Sequence, residues 1–197
     1  MAQSAIEWTE ATWNPVTGCD KVSPGCKYCY AEVMARRLKG MGQPNYRDGF
    51  KLTLQPHMLD RPLSWRRPQM IFVNSMSDLL HASVPTSFIA KVFATISSAH
   101  WHTFQVLTKR AERLEEIASS LPWPANLWMG VSVERDDYAF RIDHLSNAAA
   151  RGSRSSSSSG VGGTKAHRQA PERADLGRDA SPEARTSGGV ARSTHLE

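Results

Sequence analysis

A chain of 197 residues with 40% hydrophobic and 22% charged side chains has the apolar material for one domain with a sizeable core, which excludes a wholly disordered or fibrous protein. The net charge of +5 is unevenly placed: residues 151–197 carry eight Lys/Arg against five Asp/Glu, and residues 1–150 carry 16 against 14. The first 150 residues are therefore near neutral and give charge-driven nucleic-acid binding little support, while the basic tail offers a contact of that kind.

At the N-terminus, Met1-Ala-Gln-Ser-Ala-Ile-Glu-Trp8 lacks a basic stretch followed by an apolar one, so no secretory leader is expected. No apolar run approaches the about 20 residues of a bilayer crossing, and no membrane partner is expected. Thr12–Val16 reads as a strand leading into a loop that holds all three cysteines, Cys19, Cys26 and Cys29. An odd cysteine count without an export signal points to a reducing, cytoplasmic setting rather than a disulfide scaffold.

Three thiolates from one loop suit a centre that keeps a coordination position open, because a closed structural zinc site wants four protein ligands. Thiolate is also the soft ligand of iron–sulfur clusters. The rival reading takes Cys26 and Cys29 as a redox dithiol or half a zinc site, completed by His57, His81, His100 or His102. No two of these histidines have ligand spacing, and each reads as an ordinary surface or loop residue.

Cys29–Leu38 is expected as an amphipathic helix closed by Gly40. Its first amides and positive dipole end would face the thiolates and stabilise an anionic cluster. Gly18 and Gly25 permit tight backbone approach around sulfur, and Tyr28 supplies an aromatic wall. Residues 41–69 read as loop, with Pro44, Pro56, Pro62 and Pro68 and a short Lys51–Leu54 segment. Met70–Val73, Thr103–Leu107 and Leu127–Val133 are compact apolar strands. Between and after them, Pro85–Ala99, Ala111–Ser119 and Arg135–Leu145 read as helices.

Such alternation predicts a parallel α/β sheet with crossover helices, about four β/α units, or half of a TIM-like barrel. The six Trp are scattered among apolar segments and are expected in the core. Composition changes sharply near Asn147. All 16 Phe, Trp and Tyr lie before it, and a Ser/Arg/Gly-rich run follows. The expected division is a folded unit over 1–147 and a disordered tail over 148–197. A shifted reading frame would account for such a tail, and the β/α order would then be truncated.

Ligands of parallel α/β proteins bind at the carboxyl ends of the strands. Those ends carry the cysteine loop, then Asn74, Ser75, Ser77 and Asp78, then Thr108, Lys109 and Arg110, then Ser132 and Glu134.

Cys26-Lys-Tyr-Cys29 matches the Cys-x-aromatic-Cys half of the radical S-adenosylmethionine (SAM) signature. The stretch from Trp13 to Glu32, with Phe72-Val-Asn-Ser-Met-Ser-Asp-Leu79 and Gln105-Val-Leu-Thr-Lys-Arg110, resembles a phage and bacterial family of uncharacterised three-cysteine-motif proteins. The resemblance implies a partial TIM-like barrel in which Cys19, Cys26 and Cys29 hold a [4Fe–4S] cluster. Its unique iron would bind the amino and carboxylate groups of SAM, and reductive cleavage would start hydrogen abstraction from an unknown substrate. Two features depart from the radical SAM pattern. Six residues separate Cys19 from Cys26 where the signature has three, and no Gly-Gly-Glu follows the second strand. Asn74, Ser75, Ser77 and Asp78 stand there instead, where radical SAM enzymes hold the SAM amino group, and are the expected substitutes; Asp78, Lys109, Arg110 and Glu134 are expected to line the SAM or substrate pocket.

Overall fold

The computed structural model describes residues 9–155 and 164–168. Its strands in chain order are β1 (Ala11–Trp13), β2 (Val16–Thr17), β3 (Thr53–Leu54), β4 (Met70–Val73), β5 (Thr103–Thr108), β6 (Leu127–Val133) and β7 (Thr164–Arg168). The α-helices are α1 (Tyr30–Gly40), α2 (Thr86–Ser98), α3 (Ala111–Ile117) and α4 (Phe140–Ser155).

β1, β4, β5 and β6 lie side by side in one parallel sheet, and β7 joins it beyond β6. The remaining two strands form a separate antiparallel pair, Val16 opposite Leu54 and Thr17 opposite Thr53. The single strand expected over Thr12–Val16 is thus two strands: Asn14 and Pro15 break it, since proline donates no ladder hydrogen bond. The expected mixed α/β class and parallel β/α order hold, and among the described residues the sheet stays open rather than closing into a barrel.

Alternation along the strands decides which face is covered. Ile71, Val73, Phe104, Val106, Met129 and Val131 are buried in one core with Phe88, Ile89, Val92, Phe93 and Ile96 of α2, Leu114 of α3 and Leu145 of α4. The other face carries the residues between them. Register sets Thr12 beside Phe72, Phe72 beside Gln105 and Gln105 beside Trp128, all half-buried.

Trp13 is fully buried, its indole N–H donating to Met58 O at 2.7 Å and its ring edge-on to Phe104. Trp65, Trp101 and Trp123 pack against the same core, while Trp8 lies outside the described residues. His102 is also a core residue, 1% exposed among Trp65, Trp101 and Phe104. Its Nδ1 accepts the Gln69 N–H, so its Nε2 carries the proton and donates to Pro62 O. The expectation of a surface or loop histidine fails here because both ring nitrogens find partners in the core.

Other boundaries differ locally. A short 3-10 turn at Ala118–Ser120 ends the third expected helix, and another at Asp136–Tyr138 precedes the fourth. α4 runs to Ser155, so the expected division after Asn147 falls inside it, with Ala148 fully buried. Of the expected tail, residues 156–163 and 169–197 lie outside the described residues. No helix among those described is long and apolar enough to cross a membrane.

Candidate functional site

The site is built where the loops after β1 and β4 meet. Asn14 Oδ1, just past β1, accepts the Ser75 hydroxyl at 3.2 Å and the Met76 N–H at 3.1 Å. Gly18 donates its N–H to Met76 O and accepts the Ser77 hydroxyl at 2.6 Å, forming a bridge between the loops. Gly18 sits at φ +78 with its α-carbon so close to the Lys51 carbonyl that a Cβ would lie 2.2 Å from that oxygen. Cys19 follows, its N–H donating to Phe50 O.

Cys26 closes a 3-10 turn over Pro24–Cys26, and Cys29 is the residue that caps α1. All three cysteines are free thiols of intermediate exposure, and all three line one cavity of about 390 Å³. This volume falls within the range of about 300–1,000 Å³ usual for small-molecule sites. Asn74, Ser75, Ser77, Asp78, Lys109 and Arg110 line it too, so the β4 and β5 ends converge on the cysteine loop. Phe72, Leu107, Phe50 and Tyr30 give it apolar and aromatic walls.

Tyr28 does not line the cavity. It is 83% exposed with Lys27 over its ring, because the turn before α1 directs it outward; Tyr30, held by its hydroxyl to Ser75 O, takes the wall position instead. Glu134 also stands behind the wall. Its carboxylate meets the Arg141 guanidinium at 2.7 Å and Lys109 Nζ at 3.9 Å, and its side chain presses on Gly25, where a Cβ would lie 2.8 Å from Glu134 Cγ. Burial pushes the Glu134 carboxyl up, but the Ser23 hydroxyl, Lys109 and Arg141 outweigh it and hold it below the usual carboxylate range. Glu134 therefore supports the cysteine loop from beneath.

Asp78 lines the cavity, yet its carboxylate is already engaged. It accepts from Leu80 N–H, Thr108 Oγ1 at 2.8 and 3.0 Å, Lys109 N–H at 3.1 Å and Arg110 at 3.5 Å. Arg110 in turn reaches Cys19 Sγ at 3.7 Å and Asp20 O at 3.3 Å. Burial pushes the Cys19 thiol up and Asp78 adds to it, against Arg110. Asn74 is the opposite case. It is 4% exposed in the left-handed backbone region at φ +59, and neither polar atom of its side chain has a partner. A buried amide in that state costs about 1–3 kcal/mol until something pairs with it.

Several residues that organise the site escaped the sequence reading. Asn14 lies in the Trp13–Glu32 motif but is not marked out within it, and Arg141 carries no motif, although it shares the buried face of α4 with Leu145 and Ala148 at spacings of four and seven. His81 is 3% exposed and donates from Nε2 to Asp20 Oδ2, since its Nδ1 accepts the Ser83 N–H. It is neither a surface residue nor a ligand partner of the cysteines. Phe50 offered no signal beyond lying in a proline-rich loop.

Among the described residues, no group of three His, Cys, Asp or Glu side chains is arranged to hold a single metal ion. In a polynuclear cluster the cysteine ligands each take a separate iron and so need not meet at a point. The donor set fits such a group: three free soft thiols lining one cavity, a guanidinium beside one of them, and a helix N-terminus at another.

Fold and site together define a parallel α/β protein with a cysteine-lined cavity at the carboxyl ends of its strands. The chain belongs to the family described as Protein of unknown function (DUF5131), whose sequence pattern matches residues 3–158. No curated protein and no solved structure matches it.

Proposed function

We propose that the cavity holds a [4Fe–4S] cluster on Cys19, Cys26 and Cys29 and binds SAM, making this a radical-SAM-like enzyme of a phage-type family on a partial TIM-like barrel, in a reducing cytoplasmic setting. The supporting observation is that three free thiols line one cavity together with the polar ends of β4 and β5. When bound and charged by an external one-electron donor, the cluster would supply the electron that splits the C5′–S bond of SAM into methionine and a 5′-deoxyadenosyl radical.

The chain's own residues set the conditions for that chemistry. Arg110 donates toward Cys19 Sγ and offsets the charge that thiolates bring into a half-buried cavity. Lys109, with only a 3.9 Å contact to Glu134, keeps donors for an anionic group of SAM or substrate. Ser75 and Ser77 are spent on the loop bridge and so hold the cavity's shape. Asp78 acts as a positioning residue, because its carboxylate is taken up by Thr108, Lys109 and Arg110.

Anaerobic reconstitution with iron and sulfide tests the reading. The expected product is a brown protein whose broad visible absorbance bleaches on reduction, and each of Cys19→Ala, Cys26→Ala and Cys29→Ala should abolish it. Uptake of one zinc per chain with no such band would overturn it.

A second reading rests on charge placement. Residues 19–51, which carry the cysteine loop and α1, hold seven Lys/Arg against three Asp/Glu, and the exposed Tyr28 lies among them. That surface favours an anionic partner with stackable rings, such as single-stranded nucleic acid. Binding that weakens steeply with salt, survives removal of residues 156–197 and is lost in Tyr28→Ala with Lys27→Ala would support it.

A further inference from the structure

Exposed apolar side chains are not scattered over this chain. Of the eight large hydrophobic residues exposed among the described ones, six lie in the cysteine loop and along α1: Val22, Tyr28, Tyr30, Val33, Met34 and Met41. On this helix the usual size order is inverted. Ala31 and Ala35 are the buried residues, with Leu38 half-buried beside them, while the larger Val33 and the capping Met41 stand 69% and 62% exposed. Spacings of three, four and eleven put Tyr30, Val33, Met34 and Met41 on one side of the helix.

A stripe of this kind marks a surface that another molecule covers. Its rim is basic. Glu32, the only acid in α1, is already paired with Lys21 and Arg36, so Lys27, Arg37 and Lys39 have no carboxylate partner among the described residues. Those cations disfavour a second copy of the chain, since a two-fold contact through this patch would set them against themselves. Residues 169–197 fit poorly as well, because Leu176, Val190 and Leu196 are their only large apolar side chains. A nucleic acid would use the cations, yet Val33, Met34 and Met41 offer its backbone nothing. Tyr, Met and Arg are the residue types enriched at protein interfaces. The occupant that fits is an acidic protein with an apolar centre to its contact face.

Position says what such a protein would do. Cys29 caps α1 between Tyr28 and Tyr30, and both Val22 and Tyr30 line the cavity that the three thiols share. A protein on the stripe therefore sits against the cluster ligands, where an electron has a short way in. Six side chains fall far short of the about 20–30 residues a side of a stable interface, and suit the brief encounters of electron carriers.

We propose that the outer face of α1 and the cysteine loop form the docking surface of an acidic one-electron carrier protein. The partner is an electron donor only if the thiols hold a cluster, and in that respect the proposal rests on the iron–sulfur reading. The step is a single electron transfer: the carrier is oxidised, the cluster on Cys19, Cys26 and Cys29 is reduced, and no bond forms or breaks.

Two one-electron carriers of opposite charge test it on the full-length protein: a plant-type [2Fe–2S] ferredoxin, which is acidic, and a cytochrome c, which is basic. Calorimetry at low salt should show binding of ferredoxin and none of cytochrome c, with the affinity falling at least about tenfold in about 0.5 M salt. Val33→Glu with Met41→Glu, both at exposed positions, should weaken ferredoxin at least about tenfold and leave the melting temperature unchanged. Arg61→Gln with Arg66→Gln makes the same change in net charge at exposed positions before β4, and should leave the affinity within about twofold. After reconstitution, the stripe variant should slow reduction by ferredoxin about tenfold and leave reduction by dithionite as it was. Equal losses in the two double variants, binding of cytochrome c, or no binding of ferredoxin would each overturn the docking surface. A dimer in sedimentation that the stripe variant disperses would overturn it in favour of a second copy. A single-stranded oligonucleotide that binds more tightly than ferredoxin, and weakens equally in the stripe variant, would overturn it in favour of nucleic acid. Ferredoxin docking without a cluster band in the visible sinks the iron–sulfur reading alone. A cluster that ferredoxin reduces at one rate in every variant sinks the docking surface alone.

Discussion

Replacing Gly18 by alanine combines two penalties that the structure separates at another position. At Gly18 the backbone is left-handed, φ +78, and an added Cβ would lie 2.2 Å from Lys51 O, 2.4 Å from its carbonyl carbon and 2.6 Å from Phe50 O. The neighbours are backbone atoms, so no side-chain rotation relieves the contact. At Gly42, φ +70, nothing lies within 4 Å of the added carbon. Gly42→Ala should therefore cost only the left-handed term, about 1–2 kcal/mol. Gly18→Ala adds overpacking of about 1–3 kcal/mol, for a total of about 2–5 kcal/mol. Against a typical domain stability of about 5–15 kcal/mol this is large but survivable. Urea unfolding of both variants, with the slopes compared to exclude a change in the unfolded state, measures the difference. Because Cys19 follows Gly18 and donates to Phe50 O, the same variant should also lose its capacity for iron. If Gly18→Ala costs no more than Gly42→Ala, the close approach that shapes the cysteine loop is not real.

The other predictions concern the supports of the site. Arg141→Met should destabilise by about 3 kcal/mol in thermal or urea unfolding, since it leaves the Glu134 carboxylate with only the Ser23 hydroxyl and Lys109, and adding Glu134→Gln should restore part of the loss. Thr108→Val removes the hydroxyl that donates to Asp78 and accepts from Arg110 N–H, and should cost about 1–3 kcal/mol in the same assay. Burial lowers the pKa of His102 below its usual value of 6.5, against the pull of the Pro62 and Trp65 carbonyls. A histidine depressed in the folded state gives stability that is complete above the unfolded pKa and is lost as pH falls toward the folded one. Unfolding free energy should thus decline as pH drops below about 6.5, and His102→Gln should flatten that part of the profile.

The sequence made the parallel order legible because each strand is a short apolar run and each crossover a separate helical pattern. Met70–Val73 and Leu127–Val133 needed no correction, being too short and too apolar for anything but buried strands. The strand ends were legible for the same reason: the residue types change abruptly where the chain leaves the core. What the sequence withheld were interactions across the fold. Nothing local marks Asn14 as the acceptor for Ser75 and Met76, or His81 as the partner of Asp20 sixty-one residues earlier. Tyr28 and Tyr30 are near-identical signals two residues apart, and only the entry angle of α1 decides which one faces the cavity. Asp78 and Glu134 look alike in sequence as acidic residues after a strand. Their roles diverge because Thr108 and Lys109 come within reach of one carboxylate and Arg141 of the other.

The pairing of those two carboxylates changes how the cavity's chemistry must be read. With Asp78 occupied by Thr108, Lys109 N–H and Arg110, and Glu134 held by Arg141, neither acid remains as an independent anionic ligand. The negative charge available to a bound group must then come from the thiols, which bind a metal as thiolates. The positive side of the cavity is already in place, in Arg110 beside Cys19, in Lys109, and in the first amides of α1 behind Cys29. A cavity whose carboxylate is already paired and whose wall carries Lys109 and Arg110 is short of free anions. Metal-bound thiolates would supply that missing charge where the guanidinium stands, whereas a hydrolytic site built on carboxylates would find none free to act as base.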